Sequence, residues 1–136
     1  MAELHTICYM SRSNPSLSEE EIQSLFAQVS AYNHDMELTG LLTYSFGRFF
    51  QVLEGDPKEI LPLYENHIKK DLRHTDIFEI FNKSTPHQVF LEYSSKFKVI
   101  TKNEELQNIE KYLKAHRLDS TSEKISRLLK PFLLFD

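Results

Sequence analysis

Apolar and polar positions follow two different periods along the chain, and the switches between them mark the elements. Leu4 to Met10 is rich in β-branched and aromatic residues and closes on the turn cluster Ser11-Arg-Ser-Asn-Pro15, which predicts a first strand. Ser18-Glu-Glu-Glu21 reads as a capping box, with Leu17 and Ile22 placed for a hydrophobic staple, so a helix starts at Glu19. Its apolar stripe Ile22, Leu25, Phe26 and Val29 has helical spacing and runs on to a carboxamide, Asn33. Leu38 to Tyr44 and Arg48 to Leu53 are two further strands joined by Ser45-Phe-Gly47, a hairpin in which Gly47 takes the positive φ. In the second of them Phe49, Gln51 and Leu53 share one face and Phe50, Val52 and Glu54 the other.

Asp56-Pro57 supplies an N-cap and a proline at the first helical position, and the helix it opens is expected to continue through Leu61, Tyr64, Ile68 and Leu72. Pro62 lies inside that helix and predicts a kink or bulge. Asp76 to Phe81 and Val89 to Ile100 read as strands, separated by a Pro86-containing segment. Leu106, Ile109 and Leu113 then form one helical stripe. Ser120-Thr-Ser-Glu123 is read as the cap of a second helix carrying Ile125, Leu128, Leu129 and Phe132, with Pro131 stopping it.

The order β-α-β-β-α-β-β fits an α+β sandwich with two helices on one face of a mixed or antiparallel sheet, followed by an αα-hairpin whose stripes are expected to cover the free face. Two units are expected: residues 1–101, with 9 basic and 14 acidic groups, and residues 102–136, with 7 and 6. At 136 residues and net charge −4 the chain can bury a core but lacks a general nucleic-acid footprint. One cysteine, Cys8, excludes an internal disulfide, and no Cys/His spacing suggests zinc. No apolar run suits a bilayer span and the first residues lack signal-peptide character, so the cytoplasm is the expected compartment. The chain has sixteen aromatics, ten Phe and six Tyr, and no tryptophan.

Three polar groups stand where a core belongs: Tyr9 at the end of strand one, Asn33 on the inner helical stripe, and Gln51 between Phe49 and Leu53. A buried carboxamide without partners costs on the order of 1–3 kcal/mol, so something must satisfy it, and a heteroaromatic ligand can. The plainer alternatives are that Asn33 ends its helix in the left-handed region, that Gln51 sits at a solvated edge, and that Tyr9 is a core ring with its hydroxyl at the rim.

Together with their neighbours these residues point further. Ile7-Cys-Tyr-Met-Ser11, Asn33 with Leu38-Thr-Gly-Leu-Leu42, Gly47-Arg-Phe-Phe-Gln-Val-Leu-Glu-Gly55 and Asp71-Leu-Arg-His74 resemble, in order and spacing, the BLUF family of blue-light sensors that hold FAD, in its short stand-alone form. The resemblance covers about residues 3–98. It implies a ferredoxin-like βαββαββ sheet with FAD between the two helices, and a photoreceptor rather than an enzyme. Tyr9 matches the tyrosine that gives an electron and a proton to the photoexcited flavin. Gln51 matches the glutamine whose hydrogen bonds then rearrange. Asn33 matches the asparagine at the ring's O4 and N3 edge, and Asp71, Arg73 and His74 match the family's Asp-x-Arg-His on the second helix, near the ring and ribityl chain. Leu42 and Phe49 match apolar residues beside the flavin, with Leu25 and Phe26 facing it from helix one and Ile68 from helix two. Lys69, Lys70 and Arg73 are the cations available to a diphosphate; for the lysines the competing reading is a solvated helix end favoured by its dipole.

The chain departs from the family where the tryptophan count pointed. Tyr93 stands at the position of the usual Trp in the last strand and Ser95 at that of the usual Met, the pair held to carry the signal outward. The second helix is one residue longer than usual, Val29 replaces a common Ser, and His67 stands where some members have Arg. The implied partners are the flavin and either another protein or a second copy of the chain, with neither nucleic acid nor membrane. Leu133, Leu134 and Phe135 form an apolar end open to such a contact or to folding back. The alternative reading is a light-insensitive interaction module on the same fold.

Overall fold

A computed structural model describes residues 4–86, 88–90, 97–100, 103–115 and 120–134. Strand β1 (His5–Ser13) is followed by helix α1 (Glu19–Asp35), strands β2 (Thr39–Ser45) and β3 (Arg48–Gly55), and helix α2 (Pro57–Leu63). A π-helical turn (Tyr64–Ile68), strands β4 (His74–Ser84) and β5 (Phe97–Ile100), and helices α3 (Asn103–Ala115) and α4 (Ser120–Leu134) complete the order. The five strands form one sheet in the order β4-β1-β3-β2-β5, antiparallel except for the parallel pair β2 and β5. This is a ferredoxin-like α+β arrangement with a C-terminal helix pair.

Local chemistry accounts for the element starts. At Ser18 both halves of the capping box are made, the Ser18 hydroxyl accepting from the Glu21 amide at 3.1 Å and the Ser18 amide donating to the Glu21 carboxylate at 3.0 Å. Asp56 caps α2 by accepting from the Lys58 amide at 2.9 Å, with Pro57 following. The β2–β3 hairpin turns on Phe46 (φ 51) and Gly47 (φ 76), so both central residues take positive φ, as a two-residue hairpin matching strand twist requires.

Two apolar layers flank the sheet. One joins Ile7, Tyr9, Leu42, Phe49 and Leu53 to Ile22, Leu25 and Phe26 of α1 and to Ile60 and Tyr64. The other joins Cys8, Leu41, Phe50, Val52 and Phe81 to Leu106, Ile109 and Leu113 of α3 and Ile125 and Leu129 of α4. No described helix is long and apolar enough to cross a membrane.

Boundaries differ from those predicted, beginning with β1, which runs on through Ser11-Arg-Ser13 instead of turning after Met10 because these residues pair with the starts of β3 and β4. The second helix does not run to Leu72: α2 ends at Leu63, and Leu72, 84% exposed, lies in the turn that follows the π-helical segment. Strand β4 starts at His74, extending the expected Asp76–Phe81 at both ends, because it pairs along nearly all of β1. Within the expected strand Val89–Ile100, Val89 and Phe90 occupy a turn and only Phe97–Ile100 is described as strand. Helix α4 begins at Ser120 itself and continues past Pro131 to Leu134, so the proline, three residues from the helix end, does not stop it. Tyr93, Ser95 and Phe135 lie outside the described residues, as do the side chains of Phe132, Leu133 and Leu134.

Candidate functional site

The site is built on a row across the middle of the sheet. Tyr9 of β1 stands directly opposite Gln51 of β3, which stands opposite Leu42 of β2. Because β1 and β3 are interior strands, neither polar side chain reaches an edge: Tyr9 is 4% and Gln51 3% exposed. The Tyr9 hydroxyl donates to Gln51 Oε1 at 2.5 Å. Burial, with smaller contributions from Tyr64 and Asp71, pushes the phenol's pKa well above its ordinary value, so Tyr9 is a neutral donor across the physiological range. A carboxamide has a carbonyl at one end and an NH₂ at the other, so a Gln51 whose Oε1 is held by Tyr9 has its donor end left to offer elsewhere.

Helix α1 supplies one wall. Leu25, Val29 and Asn33 recur at four-residue spacing and so lie along one face, with Gln28 and Tyr32 beside them. Asn33 is 2% exposed and stays within the helix; the left-handed residue that ends α1 is Glu37 (φ 58), while the Leu38 amide returns to the Asn33 carbonyl at 2.9 Å.

The opposite wall depends on Pro62 and the π-helical turn. Pro62 has no amide to give, and two residues later the helix widens so that the Lys69 amide reaches the Tyr64 carbonyl at 2.9 Å, five residues back. This wide turn presents Leu63, His67 and Ile68 to the cavity and sets the Tyr64 ring 5.7 Å from that of Tyr9.

Asp71 then forms a compact turn. Its carboxylate accepts from the Arg73 amide at 2.9 Å and from the guanidinium through Nε at 2.9 Å and Nη2 at 2.7 Å. Burial pushes the Asp71 carboxyl up, but the hydrogen bonds and charge of Arg73 outweigh it and hold the group below the ordinary carboxylate range. Arg73 also donates to Gln28 Oε1 at 2.9 Å, tying this turn to α1 across the cavity. His74 donates from Nε2 to the Ile68 carbonyl at 2.6 Å, which can only accept, so in the neutral ring Nδ1 is the acceptor of the Ser11 hydroxyl at 2.7 Å. Its ring meets those of Tyr9 and Phe49 edge-on.

These elements enclose a cavity of about 260 Å³. Of the residues singled out in the sequence, Tyr9, Leu25, Asn33, Leu42, Phe49, Gln51, Ile68, Asp71, Arg73 and His74 line it, as do Val29 and His67, noted there as departures from the family. Phe26 does not; it packs edge-on behind Phe49 and Tyr44. Lys70 does not either, lining a separate groove with Tyr64 and Asp71, while Lys69 pairs with Glu65 at 2.9 Å and lies 4.8 Å from the centre of the Tyr64 ring. Asp71, Arg73 and His74 sit in the turn before β4 and at its first residue, not on a helix, because the Asp71 carboxylate closes its own turn on the Arg73 amide. The lining residues not anticipated are Gln28 and Tyr32, readable as the flank of the Leu25–Asn33 stripe, and Leu63, hidden by the π-turn's change of register.

An apolar slot between a helix and a wide turn, floored by a phenol and a carboxamide and flanked by a second carboxamide, defines a binding module for a flat heteroaromatic ligand with a polar edge. The family model described as "Sensors of blue-light using FAD", BLUF, matches residues 4–96, and the chain belongs to this family of flavin-binding photosensors. It is 31% identical over 88 residues to photoactivated adenylate cyclase subunit alpha of Euglena gracilis, covering 65% of this chain but 8% of the cyclase subunit. The BLUF structure of BlrP1 superimposes with a TM-score of 0.75 at 23% identity, covering 98% of this chain and 91% of that one. A bacterial light-regulated adenylyl cyclase does so with a TM-score of 0.64 at 29% identity, over 94% of this chain and 36% of that one. The family is a photosensor module, and cyclase activity is a property of those longer proteins.

The residues present fit a flavin. The cavity falls just below the usual small-molecule range of roughly 300–1,000 Å³, a size that suits a flavin's ring system. Leu25, Val29, Leu42, Phe49 and Ile68 provide apolar walls, and Asn33 and Gln51 provide the donors and acceptors that a pyrimidine-like edge needs.

Proposed function

We propose that the protein is a blue-light receptor that holds FAD non-covalently and switches through Tyr9 and Gln51. The observation that carries this reading is the buried 2.5 Å hydrogen bond from Tyr9 to Gln51 on the floor of the cavity. When bound, the flavin supplies absorption of blue light and an excited state that accepts an electron. Tyr9 is the oxidisable group beside it, and the proton it sheds on oxidation has the Gln51 carbonyl as its acceptor. Gln51 then either rotates, exchanging which end of the amide faces the cavity, or tautomerises, its carbonyl becoming a hydroxyl donor, and the electron and proton return to Tyr9. Asn33 holds the polar edge of the ring, Leu25, Leu42, Phe49 and Ile68 its faces, and Asp71, Arg73 and His74 the side where the ribityl chain leaves, with Lys70 and Arg73 as cations for the diphosphate.

In this reading residues 1–101 are the flavin unit and 102–136 its output extension. The receptor works in the cytoplasm and signals by contact with a protein partner or a second copy. The test is a dark-minus-light difference spectrum on the flavin-loaded protein, together with identification of the flavin released on denaturation of the protein as it is expressed, before any flavin is added. A small reversible red shift is expected in the parent and none in flavin-loaded Tyr9→Phe or Gln51→Leu. A normal shift in either variant refutes the assigned roles, and released FMN refutes the choice of FAD. A second reading, a light-insensitive interaction module, is favoured by Tyr93 and Ser95 standing in place of Trp and Met. It requires flavin-loaded parent protein to show no difference spectrum at all.

A further inference from the structure

Strand β3 carries two sets of side chains, and the second leads away from the cavity. Gln51 and Leu53 lie in the layer beneath α1, whereas Phe50 and Val52 lie in the layer shared with α3 and α4. Glu54, next in the alternation after Val52, is fully buried. One oxygen of its carboxylate accepts from the Val89 amide at 2.5 Å; the other accepts from the Phe90 amide and the Thr39 hydroxyl, each at 2.9 Å. Gln88 adds a bond from Nε2 to Thr39 Oγ1 at 3.2 Å. The turn so held is itself gripped by α3: the Tyr112 hydroxyl donates to the Val89 carbonyl at 2.8 Å, and the Tyr112 ring stacks on that of Phe90 at 6.2 Å and 18°. A carboxylate is costly to bury and this one serves nothing in the cavity, yet it is bonded on both oxygens to chain from two other elements.

We propose that Glu54 is a positioning residue that carries movement at Gln51 to the C-terminal helices. The path runs along three residues of β3, through the Glu54 carboxylate to the Val89–Phe90 backbone, and from the Val89 carbonyl to Tyr112 of α3. It gives the chain a route that uses neither Tyr93 nor Ser95. The proposal takes the origin of the movement from the photoreceptor reading, but the joint itself belongs to the sheet and is testable with and without light.

The experiment is amide hydrogen exchange on the full chain loaded with FAD, dark and illuminated, with the difference spectrum recorded on the same samples. Tyr112→Phe removes one hydroxyl, and with it the bond to the Val89 carbonyl, while keeping the ring that stacks on Phe90; Glu54→Gln places an amide where two backbone donors need acceptors. In the parent, light is expected to change exchange over 103–115. In Tyr112→Phe the colour shift is expected to keep its parent amplitude while the light-induced exchange change in α3 falls about fivefold, the weight of one neutral hydrogen bond. An undiminished exchange change overturns the proposal, as does an equal loss in β3 itself, which would mark a general loosening. If Glu54→Gln fails to fold, Tyr112→Phe decides the matter alone. If the parent shows no colour shift, the photoreceptor reading falls and the joint is judged in the dark. Gln51→Leu should then alter α3 exchange in the parent background but not with Tyr112→Phe, and an equal effect in both overturns it.

Discussion

Removing either end of the Tyr9–Gln51 bond leaves the other buried and alone. Tyr9→Phe strands the Gln51 carbonyl, and Gln51→Leu strands the Tyr9 hydroxyl, at positions 4% and 3% exposed. Each single variant of the flavin-free protein is therefore expected to lose about 1–3 kcal/mol, the desolvation penalty of an unpaired buried polar group. The double variant Tyr9→Phe/Gln51→Leu strands neither, so it should lose no more than one of the singles. The coupling energy is then about 1–3 kcal/mol, well above the roughly 0.5 kcal/mol scatter of independent sites. Urea unfolding of the four proteins in the dark measures it. For a chain of this size each 1 kcal/mol also moves the melting temperature by about 3–5 °C, which gives a second readout. Strict additivity would refute the reasoning, because it would mean that solvent already satisfies both groups. Repeating the cycle with flavin bound separates the ligand's share: an NH₂ that serves the ring makes Gln51→Leu costlier and Tyr9→Phe no costlier.

Gly40→Ala should not yield a stable fold: with φ at +136° an added Cβ would sit 1.9 Å from the Val52 carbonyl oxygen, and prising β2 from β3 costs more than about 4 kcal/mol, which expression and urea midpoint would report. Leu113→Ala should cost about 2–5 kcal/mol in urea unfolding yet leave the flavin absorption maximum unmoved, since Leu113 packs in the layer on the far side of the sheet. Because the Asp71 carboxyl is held below its ordinary range, its contribution to stability is present above the unfolded value near pH 4 and is lost as pH falls through the lower folded value. Urea midpoints at descending pH should therefore drop more steeply in the parent than in Asp71→Asn. Cys8 is buried and burial pushes its thiol pKa far up, so a thiol reagent should leave it unmodified until the protein unfolds; rapid labelling in native buffer would contradict this.

Much of the architecture was legible because its determinants are local. The capping box at Ser18, the Asp56-Pro57 start and the alternation along Arg48–Leu53 each rest on residues within a few positions of one another, and each element starts where those residues say. The alternation alone puts Gln51 on the same face as Phe49, which is why the pairing of a carboxamide with an apolar wall is visible in the sequence. What was not legible depends on distant partners. That β5 joins β2 in parallel is decided across more than fifty residues, and β4 begins at His74 because β1 is long enough to pair with it. Asp71 follows Ile68 at helical spacing, but its carboxylate, bonded to the Arg73 amide and guanidinium, closes a turn instead. Phe26 and Leu25 are adjacent on one stripe, yet Leu25 lines the cavity while Phe26 packs edge-on against Tyr44 and Phe49.

The π-helical turn has a consequence for how such a chain tolerates changes in length. An insertion in an ordinary helix rotates everything after it by about 100° and would carry Ile68 and the Asp71 turn off the cavity. A single wide turn takes up one residue as pitch, so the segments on either side keep their facing. The Tyr64–Ile68 segment thus acts as an expansion joint, and a one-residue deletion within it should relax to regular helix and leave the cavity lining in place.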